Sequence, residues 1–332
     1  MIKVIIPVAG IGSKLRPHTH TQPKSLVPVA GKAILSHIVE YLMQAGFDDF
    51  VFVIGYLGEK IEEHIKDKYP DLKASFVVQS PREGTGHAIW TARDFINGND
   101  EMLIVLGDTI FDFDFKSVIN ENISALAVKK VDDPRTFGVV ELNDAGIITK
   151  LVEKPKMPKS NLALAGVYYI KEGAFLMKCL DQMITTGNKT NDEYTLTDAI
   201  MAMVTEGVKL KTFQIGNWMD CGSRLGLLST NATMLKRLKE NTEIKYRFPN
   251  TIVIEPVSIA ENCRISDSII GPNVSIGEHT IISTSIISDS IIGSYSQLET
   301  ATLHHSVIGS DAYLKGFSQS LNIGDSTEID FS

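Results

Sequence analysis

Two acids end apolar runs in this 332-residue chain: Asp108 closes EMLIVLGD, and Asp220 closes VKLKTFQIGNWMD. A third stretch, AGIGSKLRPHTHTQPKSLVPV from Ala9 to Val29, opens with paired glycines and carries Lys14, Arg16 and Lys24. No Asp or Glu precedes Glu40, whereas Lys3, Lys14, Arg16, Lys24 and Lys32 all do. A glycine-led, acid-free loop suits a polyanion, because the backbone can approach closely and the charge is complementary. Paired carboxylates facing such a loop suit Mg²⁺, which is usually held by one or two carboxylates plus phosphate oxygens. A metal and lysines together neutralise a phosphoryl group and hold its attacker in line. The glycine spacing fits neither a Walker loop nor a dinucleotide fingerprint. Each strand-end Asp, taken alone, is equally suited to capping the next helix.

The elements that must position these residues alternate along the first half. KVIIPVA, DFVFVIGY, ASFVVQS and EMLIVLGD read as strands, with helical stretches at 33–45, 58–68 and 85–95 between them. Near-continuous apolar strands alternating with helices predict an α/β fold, a Rossmann-like, mixed but mostly parallel sheet with flanking helices. Ligands of such sheets bind beyond the carboxyl ends of the strands, where the opening loop, Gln79 and Asp108 all fall. FGVVELNDAGIITKLVEKP reads as a hairpin turning at Asn143–Gly146, and 223–241 as an amphipathic helix that closes this domain. Glu193 and Asp198, in DEYTLTDAI, suit metal or sugar ligation, and suit helix capping or a hinge at least as well.

After RFPN the pattern changes. Aliphatic residues recur every six: Ile259 and Ile265; Ile270, Ile276 and Ile282; Ile286, Ile292 and Leu298; Ile308 and Leu314; Ile323 and Ile329. One aliphatic side chain per short strand, stacked coil on coil, predicts a left-handed parallel β-helix of hexapeptide repeats. Five-residue steps, such as Ile265 to Ile270, predict imperfect coils. The expected domains are 1–242 and, for the β-helix, 250–332.

Net charge is −8, and from residue 251 onward ten acids face only Arg264 and Lys315, so that segment carries all of it. No basic patch points to nucleic acid or a membrane, and no run reaches spanning length. Three scattered cysteines make neither a disulfide framework nor a zinc spacing, consistent with a cytoplasmic protein.

In combination these motifs resemble the sugar-1-phosphate nucleotidylyltransferases, in particular their glucose-1-phosphate thymidylyltransferase-like members. The family pattern G-x-G-[ST]-R-[LM]-x-P-L-T, then P-K-x-[LM]-x-P-V, is followed by Gly10–Thr19, except at positions 14 and 18, and by Pro23–Val29. Gln79 and Glu83–Ala88 resemble its base-reading segment, and Leu106-Gly107-Asp108 its L-x-G-D. Phe137–Glu141, Val152–Pro155 and Trp218–Gly222 match its sugar-side and second-metal motifs. The resemblance covers residues 1 to 240 or so, with the β-helix appended as in several members.

It implies attack by a sugar 1-phosphate oxygen on the α-phosphate of a nucleoside triphosphate, with Mg²⁺ as cofactor. Lys24 would bind the reacting phosphate with Lys14 beside it, and Asp108 and Asp220 would hold the metal, Asp108 also counting as catalytic. Ala9, Gly10, Gly12, Gln79, Gly84 and Thr85 would bind the nucleotide, Gln79 and Gly84 by reading the base. Gly138, Glu153, Lys154 and Gly166 would hold the sugar phosphate. The substrates implied are glucose 1-phosphate with dTTP or UTP. A mannose-1-phosphate guanylyltransferase and a catalytically weak regulatory homologue that binds nucleotide-sugar are the alternatives. Two positions depart from the pattern: Lys14 stands where the family has Arg, so that either Lys14 serves with one contact or Arg16 reaches the phosphates, and His18 replaces the usual Leu. For the acidic β-helix, self-association into a homo-oligomer or contact with the catalytic domain fits better than acetyl transfer from coenzyme A, which is itself anionic.

Overall fold

The computed structural model describes residues 2–238, 247–316, 318–319 and 321–330. They form two compact units, one of Met1–Gly10 with Ile38–Trp218, the other of Ile11–His37 with Met219–Ser332. This division differs from the cut expected near 242–250: the opening loop groups with the C-terminal region rather than with the sheet.

The first unit is built on nine strands. They are β1 (Ile2–Pro7), β2 (Asp49–Ile54), β3 (Lys73–Val78), β4 (Glu101–Val105), β5 (Ala125–Lys130), β6 (Gly138–Leu142), β7 (Ile148–Glu153), β8 (Leu162–Ile170) and β9 (Lys211–Gln214). The order is β7-β6-β8-β4-β1-β2-β3, with β5 also pairing β8 and β9 beyond it. β1, β2, β3 and β4 run parallel, whereas β8 runs antiparallel to β4, β5 and β6. The expected parallel half is therefore present and the sheet is mixed. β2 is buried along its whole length, which is why DFVFVI shows no alternation. Asp49 opens it, held by Lys3 at 2.6 Å and by Lys73. Burial opposes its ionisation, yet those two hydrogen bonds hold its carboxyl below the usual range. Lys3 is thus engaged within the sheet and is no part of the phosphate-binding charge.

The helices include α1 (Ile34–Gln44), α2 (Gly58–Lys68), α3 (Thr85–Thr91) and, after the hairpin, α4 (Leu196–Thr205). The expected 85–95 helix tightens into a 3₁₀ turn at Arg93–Phe95. Gly146 N–H donates to Asn143 O at 2.9 Å, closing the β6–β7 hairpin where the sequence places it.

In the second unit, α5 (Arg224–Leu235) precedes three five-stranded parallel sheets, the faces of a left-handed parallel β-helix. The last positions of the expected helix, 239–241, lie outside the described residues. Ile252 pairs Ile269, Ile269 pairs Ile286, Ile286 pairs Thr302 and Thr302 pairs Ser318, so successive coils are 17, 17, 16 and 16 residues long. Each is shorter than three full hexapeptides, which accounts for the five-residue steps. One such step corrects the repeat read above: Ile287 is buried and Ile286 is half exposed, because the step from Ile282 is five and not four. Asn262, Asp267, Asn273, Asp289 and Asp311 turn corners at positive φ, which Asn and Asp tolerate best. Burying each aliphatic of the stack contributes roughly 1.5–3 kcal/mol.

Candidate active site

The first unit gathers most of the predicted residues at the ends of its strands. Ala9 and Gly10 follow β1, and Tyr56 N–H reaches Ala9 O at 3.5 Å. Gly107 lets the exit of β4 close on β1: a Cβ there would lie 2.2 Å from Val8 Cγ1. Asp108 is thereby placed beside the end of β1, half-buried, with Thr109 Oγ1 donating to its Oδ1 at 3.3 Å.

Gln79 follows β3 and is 5% exposed. Its Nε2 donates to Gly84 O at 3.0 Å and lies 3.1 Å from His87 Nδ1. A backbone carbonyl only accepts, so the amide nitrogen must face Gly84, and His87 accepts the second amide proton. Oε1 is then the atom left to accept from a ligand. Burial lowers the His87 pKa, Glu83 opposes this, and Lys189 and Arg93 add to it, so the ring is held neutral as an acceptor requires. Gly84 adopts φ +105° against Tyr194 O, where a Cβ would lie 2.5 Å away. The Thr85 hydroxyl accepts from Leu196 N–H at 3.1 Å and ties α3 to the start of α4.

On the antiparallel side Gly138 pairs with Glu153 across β6 and β7. A Cβ on Gly138 would lie 3.1 Å from Glu153 Oε2, so glycine leaves that carboxylate uncovered. Thr197 Oγ1 donates to Glu153 Oε2 at 2.6 Å. The sequence reading missed Thr197; its place one residue after the start of α4, in YTLTDAI, was the only signal. Lys154 is exposed, at φ +44° and 3.6 Å from Glu153 Oε1. A lysine in this left-handed region carries a local conformational cost of the kind that collects at functional sites. Gly166, at a shift in the register of β8, accepts Leu106 N–H at 2.9 Å. Tyr168 is buried; burial, and then the nearby charges of Glu153 and Asp108, push its phenol upward. Asp198 accepts from the Thr195 hydroxyl at 2.6 Å and Thr195 caps α4, so Asp198 has the capping role read from the sequence.

Gly12, Lys14, Lys24 and Asp220 belong to the second unit. The loop folds on itself in three short 3₁₀ turns, Ser13–Leu15, His18–His20 and Lys24–Leu26. Gly12 lies at its centre with φ +69°, and a Cβ there would lie 2.9 Å from both Lys24 Cβ and Thr19 Cγ2. Lys14 and Arg16 are exposed and Lys24 is half-buried. Asp220 Oδ1 accepts Gly222 N–H at 2.7 Å, which fixes its carboxylate just before α5.

A carboxylate, such as that of Asp108 in the first unit or that of Asp220 in the second, is the donor type Mg²⁺ takes when substrate phosphates complete its shell. Among the described residues no group of three or more His, Cys, Asp or Glu is arranged to hold a metal, and no helix is long and apolar enough to cross a membrane.

Residues 3–237 match the nucleotidyl transferase family. The chain is 38% identical over 261 residues to the bifunctional protein GlmU of Methanocaldococcus jannaschii, covering 77% of this chain and 60% of that protein. It is 30% identical over 318 residues to a glucose-1-phosphate thymidylyltransferase of Streptomyces griseus, covering 88% and 87%. It thus spans about 60% of the length of the GlmU relatives it matches. A UDP-glucose pyrophosphorylase solved with UDP-glucose superposes with a TM-score of 0.63 at 26% identity, over 72% of this chain and 100% of that one. Divalent metal is general in this family. With the family's fold present and its motif positions at the strand ends, the chain belongs to the nucleotidyl transferase family.

Proposed function

We propose that the protein transfers a nucleotidyl group from a nucleoside triphosphate to a sugar 1-phosphate, releasing pyrophosphate and nucleotide-sugar, with glucose 1-phosphate and dTTP or UTP as substrates. The observation that bears on the base is the Gln79 amide. With Nε2 directed at Gly84 O and His87 Nδ1, Oε1 accepts a hydrogen bond. Uracil and thymine offer an N3–H donor and guanine an N1–H donor, whereas cytosine presents an acceptor at N3, so the amide supports dTTP or UTP over CTP and leaves GTP to the assay.

Lys24 and Lys14 neutralise the triphosphate, and Glu153 and Lys154 hold the sugar phosphate so that its oxygen lies in line with the α-phosphorus. Magnesium bound by Asp108 and Asp220 would add charge neutralisation at the phosphates. No side chain need attack, so catalysis is alignment plus electrostatics. The three buried cysteines fit the reducing, cytoplasmic setting read from the sequence. The sequence domains 1–242 and 250–332 serve as catalytic and β-helix segments, and the β-helix as a surface for self-association.

The test is pyrophosphate release from dTTP, UTP, GTP, ATP and CTP, each paired with glucose, mannose, galactose and N-acetylglucosamine 1-phosphates. Turnover with dTTP or UTP and glucose 1-phosphate is expected to exceed the other pairs. A GTP–mannose 1-phosphate maximum would favour guanylyl transfer, and nucleotide-sugar binding without turnover a regulatory role.

A further inference from the structure

The acid-free loop and the β-helix share one compact unit, and named contacts join them at both ends of the loop. At the rear, Ala30 N–H donates to Asn231 Oδ1 at 2.8 Å. The same oxygen accepts from Ser275 Oγ at 2.6 Å, and Asn231 Nδ2 donates to Asn273 O at 3.1 Å. The fully buried Asn231, on α5, thus bridges the loop to the second coil.

At the front the last described coil does the holding. Asn322 Nδ2 donates to Arg16 O at 3.3 Å, and its Oδ1 accepts from His18 Nε2. Since Arg16 O only accepts, the amide has one orientation, and the His18 contact follows from it. Asp325 accepts the Thr21 hydroxyl with Oδ2 and Ser310 N–H with Oδ1 at 2.8 Å, so the contact is anchored in the preceding coil. Pro17 packs on Gly324, where a Cβ would come within 3.0 Å of the proline ring. His18, one of the two departures from the family pattern, is only 6% exposed.

These anchors lead to Lys24 through packed atoms. Thr19, next to His18, donates to Gly12 O at 2.9 Å, and Thr19 and Lys24 close over the same face of Gly12. A shift at 17–21 therefore has no slack in which to be absorbed before it reaches the lysine.

We propose that Asn322 and Asp325 are positioning residues for the triphosphate loop, so that the last coil of the β-helix sets the affinity for nucleoside triphosphate within the same chain. This rests on the reading of Lys14 and Lys24 as triphosphate contacts. His18 is the adapter: a leucine could fill the space but could not donate to Asn322.

The experiment compares the full chain with Asn322→Ala/Asp325→Ala and, from the loop side, His18→Leu. Backbone amide hydrogen exchange over residues 12–26 reports the holding directly, without activity. It is expected to quicken in both variants while the other β-helix amides, apart from Ser310, which loses its acceptor in the double variant, exchange as in the wild type. Steady-state kinetics are expected to show the KM for triphosphate raised about tenfold, as loss of two or three modest hydrogen bonds would give, with the KM for sugar 1-phosphate unchanged. Unchanged exchange in both variants overturns the proposal, as does an equal rise in both KM values. If the wild-type chain turns over no substrate pair, the functional reading fails, and exchange together with triphosphate binding by calorimetry decides the positioning role.

Discussion

Thr197→Val tests the sugar-phosphate side of the site. The hydroxyl of Thr197 lies 2.6 Å from Glu153 Oε2 and valine keeps its shape, so the substitution removes a donor without opening a cavity. A hydrogen bond to a charged acceptor contributes about 1.5–3 kcal/mol. The Glu153 side chain is 17% exposed, so water replaces only part of that interaction. A carboxylate that has lost its fixed orientation should bind the sugar less well, and at about 1.4 kcal/mol per decade the KM for sugar 1-phosphate should rise roughly 10- to 100-fold. Pyrophosphate release at saturating triphosphate, with sugar 1-phosphate varied, measures it. The KM for triphosphate should move less than about twofold, and Thr197→Ser should restore most of the wild-type value. A sugar-phosphate KM unchanged in Thr197→Val would refute the role given to Glu153.

Lys14→Ala and Lys24→Ala should each lower turnover at least about tenfold, or roughly 1.4 kcal/mol in barrier; near-normal rates in both would remove the phosphate assignment. Asp49→Ala should lower unfolding free energy by about 3 kcal/mol in urea titrations, since Lys3 would remain largely buried without its partner; a change below about 0.5 kcal/mol would contradict this. His18, His64 and His87 are all held below their ordinary pKa, foremost by burial. Near pH 6.5 the unfolded chain takes up protons that the folded chain does not, so stability should fall as pH drops through 6.5 toward the lower folded values. Melting temperatures that rise between pH 7.5 and 5.5 would count against that sign.

The parallel strands were legible because β1, β2 and β4 are continuous apolar runs, and the β-helix because one aliphatic column repeats. The repeat slipped at Ile286 because a shortened corner moves the inward position by one residue without changing its chemistry. Gln79, Glu153 and Asp108 were legible as motif positions. Thr197 was not, because its role depends on α4 lying against the β6–β7 hairpin, a tertiary contact with no local pattern. The grouping of residues 11–37 with the β-helix was equally hidden. His18 stood out as a departure, but its partner lies 304 residues away in sequence. Charge counting also misled at Lys3, which belongs to Asp49 rather than to the loop.

The most direct test of nucleotidyl transfer is to incubate the wild-type chain with Mg²⁺, glucose 1-phosphate and dTTP or UTP, and to quantify nucleotide-sugar and pyrophosphate together. The account predicts both products in equal amounts, at a rate that Lys24→Ala lowers at least about tenfold. Absence of nucleotide-sugar with every triphosphate and sugar 1-phosphate offered would contradict it.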